Sequence, residues 1–223
     1  AVLFWREGHL WKVDVATSAV AQIPFTARYQ RTVSELVKPK LDAANAANFT
    51  PRLYMWPALS PDKRTLVFGA LGLLWRKDMG GSGDATPVIA GDGKGPAEIT
   101  PAWSPDGKTL ALTLSRDGGS QLFLLDLGTS SAEPRRLAAS TAIDTEPVFT
   151  ADGRFIYFVS DRGGSPQIYK IAATGGNAER ITFTGNYNIS PALSPDGRWL
   201  AYISRVAGAF KLQIQDLSSG QVI

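Results

Sequence analysis

Short apolar runs separated by polar turn residues recur along the chain. The clearest set lies in residues 98–137, where an extended run leads through a Ser-Pro-Asp-Gly turn into apolar residues 110–114 and then into residues 121–127. Residues 110–114 read Leu-Ala-Leu-Thr-Leu, which is typical of a strand buried on both faces. A weaker run at residues 135–138 follows. The pattern predicts a four-stranded antiparallel sheet.

The turn itself is repeated. Its proline presets a negative φ, its aspartate can accept hydrogen bonds from nearby amides, and its glycine accepts a positive φ. The aspartates are Asp62, Asp106, Asp152 and Asp196, which gives spacings of 44, 46 and 44 residues. A repeat of this length with four strands is the signature of a β-propeller blade. Lys63 stands where the other copies have glycine, so the same turn would strain it.

The first repeat is shorter than the others. Residues 1–15 align without gaps to residues 65–79, so the chain starts at the second strand of a blade. We therefore predict an all-β fold, a β-propeller of five four-stranded antiparallel blades with an incomplete first blade. The predicted single domain, 1–223, divides into residues 1–50 (incomplete blade and long insert), 51–96, 97–140, 141–185 and 186–223.

The open edge of the first blade needs a partner, because unpaired strand edges invite association. The insert, a neighbouring chain or nothing at all could cover it, and self-association through this blade is one expectation. Within the insert, residues 33–47 could form one helical turn, although Pro39 interrupts any longer helix.

Composition narrows the function classes. With 223 residues and 44% hydrophobic content the chain can bury one large core, and it has no cysteine for disulfides or thiolate chemistry. No apolar run is long enough for a membrane span, and no leader sequence is expected at the start. The net charge is +3. Nucleic-acid binding is not expected, because the tryptophans and tyrosines fall at predicted core positions rather than along a basic stripe.

The repeats resemble a known family. Pro-Ala-Trp-Ser-Pro-Asp-Gly-Lys-Thr-Leu-Ala, Ser-Asp-Arg-Gly-Gly-Ser-Pro-Gln-Ile-Tyr and Gly-Gly-Asn-Ala-Glu-Arg-Ile-Thr-Phe, within residues 97–223, resemble the TolB-like (PD40/WD40-like) propellers. That resemblance implies a periplasmic location and binding of a peptidoglycan-associated lipoprotein by the propeller. Residues 1–90, with Val-Leu-Phe-Trp-Arg-Glu-Gly-His-Leu-Trp-Lys-Val-Asp, resemble the TolB-like propellers of amidohydrolase-associated proteins. The difference suggests an engineered chimera with a seam near residues 91–97.

The sequence offers little for catalysis. His9 is the single histidine, whereas a metal hydrolase needs several imidazoles and zinc sites otherwise need thiolates. Residues 107–109, Gly-Lys-Thr, imitate the end of a phosphate loop but belong to a blade turn. The glycine-rich residues 91–95 could cradle an anion but lack a following helix pattern. We predict no enzyme, no catalytic residue, no cofactor and no metal centre.

A remaining candidate site is the mouth of the central channel. The innermost strands of a propeller line this channel, and here they end at Pro57, Pro101, Pro147 and Pro191. The predicted channel-mouth residues are Tyr54, Trp56, Glu98, Thr100, Asp144, Thr145, Glu146, Tyr187, Asn188 and Ser190. Three of them, Glu98, Asp144 and Glu146, could converge to hold a cation or a basic peptide. The alternative is that these acids only cap strand ends.

Two function classes follow. The first is a non-catalytic propeller scaffold, either natural or assembled by recombination. The alternative is a TolB-like protein-binding module of the bacterial cell envelope, with a lipoprotein or peptide bound at the channel mouth. The resemblance implies the periplasm, while the sequence shows no export signal and the chain would stay in the cytoplasm if expressed alone.

Overall fold

The fold consists of β-strands joined by short turns. The structure, a computed structural model, describes residues 1–6, 9–24, 26, 51, 53–89, 98–116, 119–128 and 133–223. The chain divides into two compact units, Ala1–Phe49 and Thr50–Ile223. The described ranges contain no helix suited to crossing a membrane. The helical turn predicted at residues 33–47 and the glycine-rich segment at residues 91–95 lie outside the described residues.

The first unit holds one antiparallel sheet. Its strands are β1 (Val2–Arg6), β2 (His9–Val13) and β3 (Val20–Ile23), paired in that order. Phe4 lies opposite Trp11 across β1 and β2. Three strands are what a blade that starts at its second strand should show.

The second unit holds four antiparallel sheets, each formed by consecutive strands. The first comprises β4 (Met55–Leu59), β5 (Thr65–Ala70), β6 (Leu73–Asp78) and β7 (Thr86–Pro87). The second comprises β8 (Glu98–Trp103), β9 (Thr109–Arg116), β10 (Gly119–Asp126) and β11 (Arg135–Arg136). The third comprises β12 (Asp144–Phe149), β13 (Phe155–Ser160), β14 (Gln167–Ala172) and β15 (Glu179–Arg180). The fourth comprises β16 (Asn188–Leu193), β17 (Trp199–Val206) and β18 (Ala209–Asp216).

The last sheet ends in a short outer segment. Ile214 and Ile223 exchange backbone hydrogen bonds of 3.1 and 2.8 Å, and the Asp216 amide donates to the Gln221 carbonyl at 2.9 Å. The final residues therefore supply a stub where the other sheets of this unit have a two-residue fourth strand. The all-β propeller predicted from the repeats is confirmed.

The two middle sheets of the second unit are packed on both faces. Leu110 and Leu112 of β9 pack with Val67 of the preceding sheet, whereas Ala111 packs with Ile156 of the following sheet. A third cluster joins the last two sheets through Tyr157, Ile168, Leu200 and Tyr202. Each such aliphatic or aromatic side chain contributes about 1.5–3 kcal/mol when fully buried. The continuous apolar strands seen in the sequence are thus explained by neighbours on both sides.

In the second unit, the turn between the first and second strands of each sheet is closed by a short hydrogen-bond network. Ser104 Oγ donates to Asp106 Oδ1 at 2.6 Å, and Oδ1 also accepts the Lys108 amide at 3.1 Å. The Thr109 amide donates back to Ser104 Oγ at 2.9 Å. The Ser104 hydroxyl, and then the Lys108 amide, hold the pKa of Asp106 below its usual value. The same network recurs at Asp62, Asp152 and Asp196.

One position in these turns is strained. The turn glycines Gly107, Gly153 and Gly197 have φ of 70°, 70° and 71°, and Lys63 adopts the same left-handed geometry with φ of 62°. A side chain with a Cβ is disfavoured there by about 1 kcal/mol relative to glycine. The positive φ expected at Lys63 is therefore present.

Replacing Lys63 by glycine should stabilise the protein. We expect Lys63→Gly to raise the free energy of unfolding by about 1 kcal/mol, or the melting temperature by about 2–4 °C, because the left-handed strain is relieved. Lys63→Ala is the control, since it removes the charge but keeps the Cβ. Urea and thermal unfolding measure both variants, and an equal gain in the two would contradict the strain argument.

The turn aspartates should make stability sensitive to acid. Because the pKa of Asp106 is lower in the folded protein than its ordinary value of 3.8, its stabilising effect is complete above about pH 5 and is lost as the pH falls towards the lowered pKa. Between about pH 7 and pH 3, Asp106→Asn should therefore lose less free energy of unfolding than the wild type. Urea unfolding at both pH values tests this, with Asp84→Asn as the control for removing one exposed charge. An Asp106→Asn variant with the wild-type loss would argue against it.

Candidate binding site at the inner strands

The first strand of every sheet in the second unit is bulged at the same place. In β12, Thr145 pairs with Val159 and Val148 with Tyr157, so Glu146 and Pro147 fall outside the regular register. The same shift occurs in β4, β8 and β16. Proline cannot donate to a sheet ladder, and a bulge both accommodates it and re-aims the neighbouring side chain.

The residue before each of these prolines has a left-handed backbone. The four φ angles are 48° at Trp56, 49° at Thr100, 54° at Glu146 and 56° at Ser190. Non-glycine residues pay about 1–2 kcal/mol for this conformation. Four equivalent positions therefore carry the same backbone strain.

The bulges surround one cavity. It has a volume of about 310 Å³, near the lower end of volumes common for small-ligand sites. Its lining consists of the four bulge residues and the prolines that follow them: Trp56, Pro57, Thr100, Pro101, Glu146, Pro147, Ser190 and Pro191. The structure thus brings together four of the ten residues predicted at the channel mouth.

Hydrogen bonds link the bulges from sheet to sheet. The Glu146 amide donates to Thr100 Oγ1 at 3.3 Å, and the Ser190 amide donates to Glu146 Oε2 at 2.5 Å. Thr100 Oγ1 also lies 2.9 Å from Thr113 Oγ1. In two successive sheets, therefore, the side chain at the bulge accepts a hydrogen bond from the backbone amide of the bulge in the next sheet. Trp56 has no acceptor in its side chain, so the series does not extend to the first of the four sheets.

The Trp56 side chain packs against Gly69. A Cβ added to Gly69 would lie 3.0 Å from Trp56 Cε3 and 3.4 Å from the Met55 carbonyl oxygen. Thr113 occupies the corresponding place in the next sheet, because Met55 pairs with Gly69 as Ile99 pairs with Thr113. The missing side chain leaves room for the indole, and 37% of the residue surface stays exposed.

Asp144 is bound by an arginine. Its carboxylate accepts two hydrogen bonds from Arg162 Nη2, at 3.0 and 3.2 Å, and only 4% of the residue is exposed. Arg162 Nε donates to Ser160 Oγ at 2.8 Å, and the guanidinium lies 5.2 and 5.0 Å from the ring centres of Phe158 and Tyr169. The carboxylate is therefore committed to this contact and does not line the cavity.

Asn188 has a comparable role in the last sheet. It is fully buried, and its Nδ2 donates to Gln167 Oε1 and to the Thr184 carbonyl, both at 2.8 Å. Thr182 Oγ1 donates to the same Gln167 oxygen at 2.9 Å. The amide thus ties β16 to the preceding sheet and is not available at the cavity.

Two predicted tyrosines pack against rings of their own sheets. Tyr54 makes an edge contact with Phe68 at 5.6 Å between ring centres, and Tyr187 makes one with Phe210 at 5.8 Å. Neither lines the cavity. Both tyrosines directly precede a first strand, β4 and β16 respectively.

The remaining candidates are Thr145 and Glu98. Thr145 lies in the regular ladder of β12, and Glu98 is the first residue of β8, with a side chain outside the described part. Within the described ranges no three carboxylate or imidazole groups come close enough to share a metal ion. Of the three acids expected to converge, Asp144 is bound by Arg162 and Glu146 lines the cavity, while the position of the Glu98 side chain stays a prediction.

His9 is exposed on β2. Its Nδ1 lies 2.9 Å from Gln22 Nε2 across the β2–β3 pair. Residues 107–109 form the end of a blade turn and the start of β9, with the Gly107 amide donating to the Ser104 carbonyl. Neither feature is part of the cavity.

Comparison with known proteins identifies the family. The family described as "TolB beta propeller domain" (PD40) matches residues 50–223, which include all four sheets of the second unit. The chain belongs to the TolB beta-propeller domain family. The resemblance in the repeat sequences is thereby confirmed.

Individual relatives agree with this assignment. An uncharacterized protein of Agrobacterium fabrum is 26% identical, over 78% of this chain and 76% of that protein. The Tol-Pal system protein TolB of Bordetella pertussis is 55% identical over 36% of this chain and 28% of its own length. The crystal structure of TolB from Acinetobacter baumannii superimposes with a TM-score of 0.67 at 28% identity, covering 96% of this chain and 47% of that chain.

The chain thus spans about half of one TolB relative and about a quarter of another. The family match runs without a break through residues 91–97, where the sequence suggested a seam. A single family therefore accounts for both sides of that seam within the second unit. The hypothesis of an engineered chimera gains no support.

Several features of the cavity in this TolB-family chain do not follow from the sequence pattern. In the sequence the four prolines mark only strand ends, whereas in the structure they form half of the cavity lining. The pairing of Asp144 with Arg162 depends on the hairpin register, which places Asp144 opposite Ser160. A register prediction for residues 144–162 would have indicated it.

Removing Arg162 should destabilise this propeller more than removing an exposed arginine. Arg162→Met leaves the buried Asp144 carboxylate without its partner, and we expect a loss of about 2 kcal/mol in the free energy of unfolding. Arg154→Met is the matched control, because its partner Asp152 is about half exposed, and should cost less than about 1 kcal/mol. Urea unfolding at neutral pH compares them; losses of equal size would refute the distinction.

Proposed function

We propose that the chain is a non-catalytic, protein-binding propeller of the bacterial cell envelope, and that its binding site is the cavity between the inner strands. The single observation that carries this proposal is the set of four left-handed, non-glycine residues around one cavity. Membership of the TolB family supports the envelope and, by the Tol-Pal names of relatives, a periplasmic setting.

The strain at the bulges argues for a use of their side chains. Glycine would adopt the left-handed conformation without the penalty of about 1–2 kcal/mol, yet none of the four copies has it. At the repeated turns between the first and second strands, by contrast, three of the four copies do have glycine. Strained residues of this kind concentrate where a protein binds ligands.

Hydrogen bonding within the protein explains part of this set only. Thr100 and Glu146 accept the amides of the next bulges. Trp56 has no acceptor, and in the described part of the chain no hydrogen bond involves the Ser190 hydroxyl. These two side chains therefore line the cavity without accepting a hydrogen bond from the backbone amide of a neighbouring bulge.

The cavity lining suits recognition better than catalysis. It offers an indole, four proline rings, two hydroxyls and one carboxylate, but no imidazole or amine that could activate a hydroxyl nucleophile. Apolar walls with a few polar groups are the usual composition of a binding pocket. A segment of a partner protein, such as a loop of the Tol-Pal lipoprotein, would meet both kinds of surface here.

The proposal predicts that blocking the cavity abolishes partner binding. We expect the soluble domain of the peptidoglycan-associated lipoprotein to bind the chain, and Ser190→Trp to weaken this binding at least tenfold by filling the cavity mouth. Ser82→Trp adds the same indole to an exposed loop between β6 and β7 and should leave the dissociation constant within about twofold. Isothermal titration calorimetry measures all three proteins.

Two results would count against the proposal. Absence of binding at about 100 μM lipoprotein would leave the chain as a scaffold without this partner. Equal affinity of the wild type and Ser190→Trp would place the binding surface away from the cavity.

A further inference from the structure

We infer that the cavity receives a cationic side chain, a lysine or an arginine, from the bound segment. This inference rests on the proposed function, because it names the chemistry of the group that the partner inserts. It depends on three features of the lining: one carboxylate with spare acceptor capacity, one exposed indole, and walls of proline.

The carboxylate of Glu146 lacks a cationic partner in the described part of the chain. Its Oε2 accepts the Ser190 amide at 2.5 Å, and no hydrogen bond or ion pair among the described residues involves Oε1. Asp144, the neighbouring acid on β12, is neutralised by Arg162 instead. A partly buried carboxylate without a counter-ion attracts positive charge more strongly than one in bulk water.

Trp56 supplies a second attraction on another sheet. Its indole borders the same cavity, and the residue remains 37% exposed after packing on Gly69. An ammonium or guanidinium group near an indole face gains about 0.5–2 kcal/mol, depending on how far it is desolvated. The carboxylate and the indole come from different sheets and line the same cavity.

The four prolines favour an organic cation with an apolar stem. Lysine and arginine bury their methylene groups against apolar surface while the charged end meets a polar partner. The volume of about 310 Å³ is at the lower end for small-ligand sites, which fits an inserted side chain rather than a folded element.

Other ligands fit this lining less well. Calcium takes six to eight oxygen ligands, whereas this lining offers one carboxylate and two hydroxyls, in keeping with the lack of a three-acid cluster among the described residues. An anionic side chain would be repelled by Glu146. A neutral apolar side chain would satisfy the prolines but would leave the Glu146 carboxylate desolvated and unpaired, which is costly.

Short peptides test the inference directly. Blocked pentapeptides with a central lysine, arginine, norleucine or glutamate between glycines are titrated into the ¹⁵N-labelled full chain, with the Ser190 amide signal as the reporter. We expect the lysine and arginine peptides to bind at least tenfold more tightly than the norleucine peptide, and the glutamate peptide to cause no shift. Equal affinity for norleucine and lysine would overturn the inference. So would the absence of a shift by any peptide at about 10 mM, a concentration above the millimolar scale of weak binding.

Matched variants assign the effect to the named groups. Glu146→Gln keeps an oxygen acceptor for the Ser190 amide but removes the charge, and it should weaken lysine-peptide binding at least fivefold. Glu179→Gln, on the outer strand β15, removes an exposed charge and should change it less than twofold. Trp56→Leu, which does not touch the Glu146 hydrogen bond, should weaken it at least twofold and serves as the second variant if Glu146→Gln does not fold. Wild-type affinity in both cavity variants would contradict the inference.

Two further outcomes separate the alternatives. If calcium chloride alone at millimolar concentration saturates the Ser190 shift and blocks the peptides, the cavity is a metal site and the inference is wrong. If Ser190→Trp abolishes lipoprotein binding while Glu146→Gln leaves it unchanged, the proposed function stands and the cationic side chain is excluded. Parallel loss in Ser190→Trp and Glu146→Gln, with Glu179→Gln unaffected, supports both.

Discussion

The architecture depends on sheets that are apolar on both faces. Leu110 and Ala111 are adjacent in β9 and fully buried, yet they pack against different neighbouring sheets. A sheet of this kind cannot turn either face to water without exposing a row of leucines, so it must be covered on both sides by further sheets. Within the second unit, side-by-side packing of successive sheets follows, and it brings the first strand of each sheet next to the first strand of the next.

This arrangement determines where a binding site can arise. The first strands of four sheets meet around one cavity, and every one of them is interrupted by a proline at the same depth. The bulge that accommodates the proline turns the preceding side chain out of the ladder. Four side chains of different size and polarity thus line the same cavity, although the backbone geometry is the same at all four positions.

The sequence predicted more of the architecture than of the site. Turn chemistry and apolar runs located the strands, and the alignment of residues 1–15 with residues 65–79 anticipated the three-stranded first sheet. Proximity to the prolines in the sequence correctly indicates Glu146 and Ser190 as cavity residues, but it indicates Asp144 and Asn188 as well. Those two precede the bulge, which breaks the regular side-chain alternation after them, and they are held by partners, Arg162 and Gln167, that lie 18 and 21 residues away along the chain.

Two kinds of backbone strain in this chain have different meanings. At the repeated turns between first and second strands, glycine is the common solution and Lys63 the exception, so its strain is removable and concerns folding alone. At the bulges no copy has glycine, and the four side chains differ in size and polarity, so no single packing contact explains their retention. Thr100 and Glu146 offset part of the strain by accepting the next amide. Trp56 and Ser190 do not, and these two are the side chains that the proposed partner would contact.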